Sequence, residues 1–153
     1  MKKTQRFGLA ALVVALAVLT TGMSRVAAED KDNEHHMGHM MKCAKACSAC
    51  QLECASCFDH CVKLVAAGKK EHAVTVRTCA DCGQCCALAA SLCASNSPMA
   101  AHICEGCAKC CDDCAKACEK FEDDKHMAAC AKACRTCAKE CREMSKHGKG
   151  ETK

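Results

Sequence analysis

From residue 43 the apolar positions of the chain recur in steps of four and three, at Cys43, Cys47, Cys50, Cys54, Cys57 and Cys61. Side chains spaced this way share one face of a helix with 3.6 residues per turn. The residues between them are mostly Ala, Lys, Glu and Asp, which favour helix and tolerate water. The rhythm returns at Cys79, Cys82, Cys86 and Cys93 with Cys85 beside it, and at Cys104, Cys107, Cys111, Cys114 and Cys118 with Cys110 beside it. It returns once more at Cys130, Cys134, Cys137 and Cys141. Four stripes predict four helices. Val, Ile and Thr never alternate with polar residues as a half-buried strand requires, which excludes a β fold.

Punctuation places the ends. Gly68 suits a left-handed helix stop, Ser97-Pro98 offers an N-cap followed by a first-turn proline, and Asp123 and Asp124 put negative charge at a helix start. The predicted helices are 36–67, 70–94, 98–120 and 125–146. Short connections force neighbours to run antiparallel, so the expected fold is all-α: an antiparallel up-down-up-down four-helix bundle with a cysteine-lined core over 36–147. Leu64, Leu88, Leu92, Ile103 and Phe121 are the apolar minority expected among the thiols. The polar, Gly-containing segment 148–153 reads as a disordered tail.

Upstream of the stripes the pattern changes. Lys2, Lys3 and Arg6 precede an apolar run from Phe7 to Leu19, and Val26-Ala27-Ala28 supplies small residues. This is the layout of an export signal, cleaved after Ala28, and the run is shorter than the ~20 residues of a membrane span. Paired arginines are absent, so a Sec-type route to the periplasm is expected, with 29–35 as a flexible N-terminal segment and no membrane contact after cleavage.

Charge narrows the possibilities further. The chain carries 22 Lys and Arg and 18 Asp and Glu; Lys2, Lys3, Arg6 and Arg25 lie within 1–28, so the remainder balances at 18 against 18. With no cationic surplus there, and only three Phe and no Tyr or Trp in the whole chain, it lacks the means to hold a nucleic-acid backbone or stack its bases. An enzyme needs a distinct acid, base or nucleophile in a cleft, whereas each thiol here is one of 21 cysteines in 153 residues. No catalysis is expected.

Buried cysteine packs as a small hydrophobe, but packing does not explain choosing it on every stripe. Three chemistries compete. A disulfide-bonded structural protein suits export, yet the number is odd and most bridges would close short loops inside single helices. Zinc or cadmium binding in the manner of a metallothionein suits CxxC pairs such as Cys47/Cys50, Cys54/Cys57 and Cys134/Cys137. Tetrahedral zinc, however, usually gathers two such pairs across a loop. Haem attachment needs CxxCH, which is absent, and iron-sulfur ligation uses compact sets in loops. Cu(I) is soft, selects thiolate and thioether, and accepts two or three ligands. Two sulfurs at i and i+4 on one helix can share such an ion. One Cu(I) per thiolate also leaves the buried tube nearly neutral, which removes the penalty of burying charge. On the order of 20 Cu(I) ions per chain follows from that balance.

The remaining soft or imidazole ligands gather at one end. In an antiparallel bundle His35, His36, Met37, His39, Met40, Met41, Met99, His102, Met144 and His147 share the end where helix one begins. His60, His72, His126 and Met127 lie toward the other. Stepping back from Cys43 by three and then four reaches Met40 and His36, and stepping on from Cys141 by three reaches Met144. These three extend the stripes and are assigned as ligands at the mouth of the tube, whereas His35, Met37 and His147 also fit a solvated tail.

The segments CAKACSACQLECASC, CAKCCDDCAKAC and CAKACRTCAKEC resemble the four-helix-bundle copper storage proteins of bacteria. The resemblance spans about 36–146 and implies inward thiols holding many Cu(I) ions, His and Met at one open end where copper enters, and commonly a homotetramer. The function expected is Cu(I) storage or detoxification in the cell envelope, with copper donor or acceptor proteins as possible partners.

Overall fold

The computed structural model describes residues 9–147 of the chain, with side chains described from 35 to 146. The export-signal residues 1–8 and the tail 148–153 lie outside that range. Two compact units are present, Met1–His36 and Met37–Lys153, and the cysteine stripes belong wholly to the second. Helix α1 runs Leu9–Ala66, α2 Ala73–Ala94, α3 Ala100–Cys118 and α4 Lys125–His147. Turns of 3₁₀ helix at Lys70–His72 and Glu119–Phe121 lead into α2 and out of α3. Among the described residues there is no strand, and no helix is long and apolar enough to cross a membrane.

The helix expected to start at 36 begins upstream instead, because the residues before it include Ala, Glu and Lys and no proline interrupts them. The other boundaries fall within about three residues of expectation once the 3₁₀ turns are counted, as is usual for helix ends.

Two left-handed residues stop α1 and α2 by the same device. Gly68 has φ +91° and Asn96 φ +51°. At the first stop Lys69 N–H reaches Leu64 O (3.0 Å) and Gly68 N–H reaches Val65 O (3.0 Å). At the second, Ser97 N–H reaches Leu92 O (2.9 Å) and Asn96 N–H reaches Cys93 O (3.1 Å). Both are Schellman motifs, which satisfy carbonyls that have no partner within the helix. Ser97 then starts the next turn: its Oγ accepts Met99 N–H at 3.2 Å, and its carbonyl accepts Ala100 N–H at 3.0 Å. Asp124 caps α4, its Oδ1 accepting His126 N–H (2.9 Å) and Met127 N–H (3.3 Å).

The four helices pack as an antiparallel bundle. Sulfur contacts join α1 to α4, α2 to α3 and, across the diagonals, α1 to α3 and α2 to α4. On the α1–α2 side, Gly83 allows close approach: a β-carbon there would lie 3.7 Å from Cys54 Cβ. The core is built from Cys, Ala and Met. Ala89, Ala100, Ala115 and Ala138 are fully buried, and Met40, Met127 and Met144 join the same cluster. The larger residues expected in it do not enter. Leu64, Leu92, Ile103 and Phe121 are only half-buried against it, and Leu88 is 50% exposed, because the space between the helices is already filled by sulfur.

Candidate metal centre

Nineteen of the 21 cysteines are buried, with no more than 1% of their surface exposed; Cys85 and Cys110 are half-buried. All are free thiols. The stripe spacing therefore does what a 3.6-residue helix requires, aiming sulfur from four elements at one axis. Along α1 the i, i+4 pairs Cys43/Cys47, Cys50/Cys54 and Cys57/Cys61 stand 3.9, 4.0 and 3.9 Å apart. Cys82/Cys86, Cys107/Cys111, Cys130/Cys134 and Cys137/Cys141 keep 3.9 to 4.0 Å on the other helices.

Contacts between helices are as close, so the sulfurs form a continuous column. At the end where α1 of the second unit begins, Cys43 lies 3.6 Å from Cys104 and 3.8 Å from Cys141, and Cys93 lies 3.5 Å from Cys104. In the middle Cys50 meets Cys134 at 3.6 Å, and Cys86 meets Cys111 at 3.6 Å and Cys137 at 3.8 Å. At the far end Cys79 meets Cys114 at 3.7 Å and Cys130 at 3.9 Å, while Cys57 meets Cys118 at 4.0 Å. Sets of four, such as Cys47, Cys107, Cys137 and Cys141, or Cys57, Cys79, Cys118 and Cys130, hold their sulfurs within 4.8 Å of one another. Several share members: Cys50, Cys54, Cys82 and Cys134 overlap with Cys54, Cys114, Cys130 and Cys134. An ion in one set shares thiolates with the next.

Packing thiols together away from water raises most of them. Contact with Cys114 is the main cause pushing Cys54, Cys79 and Cys134 above the usual thiol range. Cys93 is pushed up to about 12, chiefly by Cys104, and Cys61 to about 12, chiefly by burial and then by Cys57. Cys43 goes the other way: hydrogen bonding with Cys104, then Cys141 and Cys47, holds it down to about 5. Inside the column Cys50, Cys82 and Cys107 are lowered too, chiefly by Cys111, and Cys114 chiefly by Cys118, so raised and lowered thiols stand side by side along it.

Met40 (5% exposed) and Met144 (1%) lie in the same buried cluster as Cys43 and Cys141. His36 is the last residue of the first unit. Met37, Met41 and Met99 are about half exposed, at 52, 46 and 53%. At the far end Met127 is wholly buried. It was given no role from the sequence, yet it sits three residues before Cys130, the offset that relates Met40 to Cys43. His60 there bonds Asp124 Oδ2 through Nε2 at 2.7 Å and stacks on His126 with ring centres 4.4 Å apart. Burial raises the Asp124 carboxyl, but the His60 bond and the N–H of Met127 outweigh it and leave Asp124 below its ordinary value. His72 is buried against Phe121 at 4.2 Å, its Nδ1 without a hydrogen-bond partner.

Comparison with known proteins follows the geometry. The sequence model of the copper storage protein family matches residues 34–146. No curated protein matches. Copper storage protein 3 of Bacillus subtilis in its apo form is 36% identical, the alignment covering 68% of this chain and 96% of that one, with a TM-score of 0.60. The Cu(I)-bound form of a copper storage protein, BsCsp3, is 36% identical over 70% of this chain and 98% of that one, with a TM-score of 0.65. A cytosolic copper storage protein from Streptomyces lividans, solved with five coppers, is 26% identical over 74% of this chain and 97% of that one, with a TM-score of 0.64. That last relative overturns the expectation of an exported, periplasmic, Sec-dependent protein. A basic, apolar leader is a local compositional pattern that an ordinary helix also satisfies, and residues 9–28 lie within α1. With the family model spanning most of the sequence and four helices turning their thiols inward, the chain belongs to the copper storage protein family.

Proposed function

We propose that the chain stores Cu(I) in bulk, serving as a reserve of copper or as protection against it, and does no catalysis. The observation that carries this reading is the unbroken column of thiols, each within 4.0 Å of another. A trafficking site needs two or three such ligands; a column that shares thiolates between sets favours many ions over one. The residues fit the ion, since thiolate and thioether are the donors Cu(I) selects, at two or three per ion.

Within this reading the cysteines Cys43 to Cys141 of the four stripes are the store, and Met40 and Met144 are neutral ligands at its mouth. A neutral ligand cannot cancel the charge of Cu(I), so it holds the ion less firmly than the thiolates behind it and passes it inward. His36 is assigned the same role from its spacing. Copper reaches and leaves the mouth by way of donor or acceptor molecules. A homotetramer, which the family resemblance implies, would bury the apolar area exposed on α1 at Leu52, Phe58 and Val62, which are 71, 37 and 40% exposed.

Anaerobic titration of the reduced protein with Cu(I) against a competing chelator tests the store. Uptake on the order of 20 ions per chain is expected, one per thiolate. Saturation at a handful of ions would refute bulk storage. For the mouth, replacing Met40 and Met144 with Leu conserves volume and should leave the bundle folded. Loading from a chelated Cu(I) donor should slow while most of the capacity remains; unchanged stopped-flow traces would show that these methionines merely pack.

A further inference from the structure

Two cysteines do not belong to the column. Cys85 on α2 and Cys110 on α3 are half-buried on the outer seam between these helices, and their sulfurs stand 3.2 Å apart. One residue further along each helix, Cys86 and Cys111 face each other inside the tube at 3.6 Å. The seam therefore carries two thiol pairs back to back, one toward water and one toward the store. Packing gives no reason for thiols on the outer side, where a polar residue would do.

The surroundings leave this pair open. A helical side chain lies over the turn that precedes it, and the residue one turn before Cys110 is Gly106, where a β-carbon would have nothing within 4 Å. One turn beyond Cys85 stands Leu88, 50% exposed. Nearby charges are held in pairs on their own helices: Arg77 with Asp81 at 3.0 Å, Lys109 with Glu105 at 3.6 Å and Lys116 with Asp113 at 3.2 Å.

We propose that Cys85 and Cys110 form a separate two-coordinate Cu(I) site on the flank of the bundle, through which copper is exchanged with low-molecular-weight thiol carriers. The proposal rests on the storage reading for its destination. Ligand exchange at Cu(I) requires an incoming thiolate to reach the metal, which an ion deep in the column does not permit and one on this seam does, as a second route beside the mouth. The carrier delivers copper as a bis-thiolate. Its two Cu–S bonds break, two form to Cys85 and Cys110, and the two protons of those thiols leave on the carrier thiols. Copper stays Cu(I), and the complex carries the same single negative charge before and after. The Cys86 and Cys111 thiols behind the seam receive the ion next.

The test uses the full-length reduced protein, Cu(I)–glutathione as donor and the double variant Cys85→Ser/Cys110→Ser beside the parent. The variant should fold with an unchanged helical circular dichroism spectrum, hold about one ion fewer and load at least about fivefold more slowly. A loading rate equal to the parent's would overturn the proposal. Iodoacetamide mapping supplies a second readout. In the apo protein Cys85 and Cys110 should be alkylated first, and after withdrawal of one equivalent of copper from the loaded protein they should again be first to react. Labelling that starts at Cys43 or Cys141 would overturn it, as would a Cys85–Cys110 disulfide in thiol-blocked cell extract combined with unchanged loading. Should the parent take up only one to four ions, storage fails; protection of Cys85 and Cys110 by those ions would still support the flank site, and their free alkylation would overturn both.

Discussion

A glycine in the middle of α2 looks like a defect until its neighbour is named. Gly83 faces α1, and a β-carbon there would meet Cys54 Cβ at 3.7 Å, an ordinary van der Waals contact. Gly83→Ala therefore gains helix propensity without a clash and should stabilise the apo bundle by about 0.5–1 kcal/mol, measured by urea denaturation; a lower midpoint would mean that the added methyl disturbs the packing of α1 on α2. Asn96 poses the opposite case. Its φ of +51° costs an alanine about 1 kcal/mol or more, so Asn96→Ala should lower stability while Asn96→Gly preserves it. Residues of this kind show what was legible in the sequence. The step of three or four put 19 thiols inside, and the two cysteines that broke the step, Cys85 and Cys110, are the two found outside. Met127 obeyed the same offset and could have been found by it. Leu88 could not be excluded from the core by its chemistry; only the width of a tube filled by sulfur does that. Asn96 was overlooked because the Ser97-Pro98 signal beside it marked the start of the next helix, not the stop of the last.

The elements are held by their ends as much as by their faces. Asp124 serves two of them: its Oδ1 caps α4 through His126 and Met127 N–H, while its Oδ2 bonds His60 of α1 at 2.7 Å. Losing the cap should cost about 1 kcal/mol, the usual value for an N-cap changed to alanine. Asp124→Asn keeps the capping oxygen but loses the charge opposite His60. Comparing Asp124→Ala with Asp124→Asn in thermal melts should show the alanine variant clearly less stable than the asparagine one; equal losses would assign the role of Asp124 to the His60 bond alone. The stop of α1 and the starts of α3 and α4 were readable because Gly68, Ser97-Pro98 and Asp124 act locally through hydrogen bonds and φ. The upstream extent of α1 was not, since no stop residue marks a boundary and the change at residue 36 is one of packing unit, not of backbone.

For the whole molecule, proton and copper compete for the same atoms, and stability should depend on pH with opposite sign in the two forms. In the apo bundle thiols such as Cys61 and Cys93 are pushed from 9.0 to about 12. A group raised on folding binds more protons in the native state than in the unfolded one once the pH exceeds its unfolded value. Its stabilising effect is complete below about pH 9 and is lost as the pH rises toward 12. Lysines remain charged to about 10.4, so a fall in melting temperature between pH 9 and 10 reports the thiols. With copper bound the thiolates carry no proton when folded, whereas the unfolded, metal-free thiols bind one each below about 8.5. The loaded protein should therefore gain stability as pH rises from 6 to 8.5, and its midpoint should exceed that of the apo form throughout by mass action. Because the helices rest on Ala, Lys and Glu and on a column already assembled, the apo form should still show a helical circular dichroism spectrum. Anaerobic melts of both forms from pH 6 to 11 distinguish this from a copper site formed only on binding: parallel curves, or an apo chain without helix, would mean that the thiols are not gathered before the metal arrives.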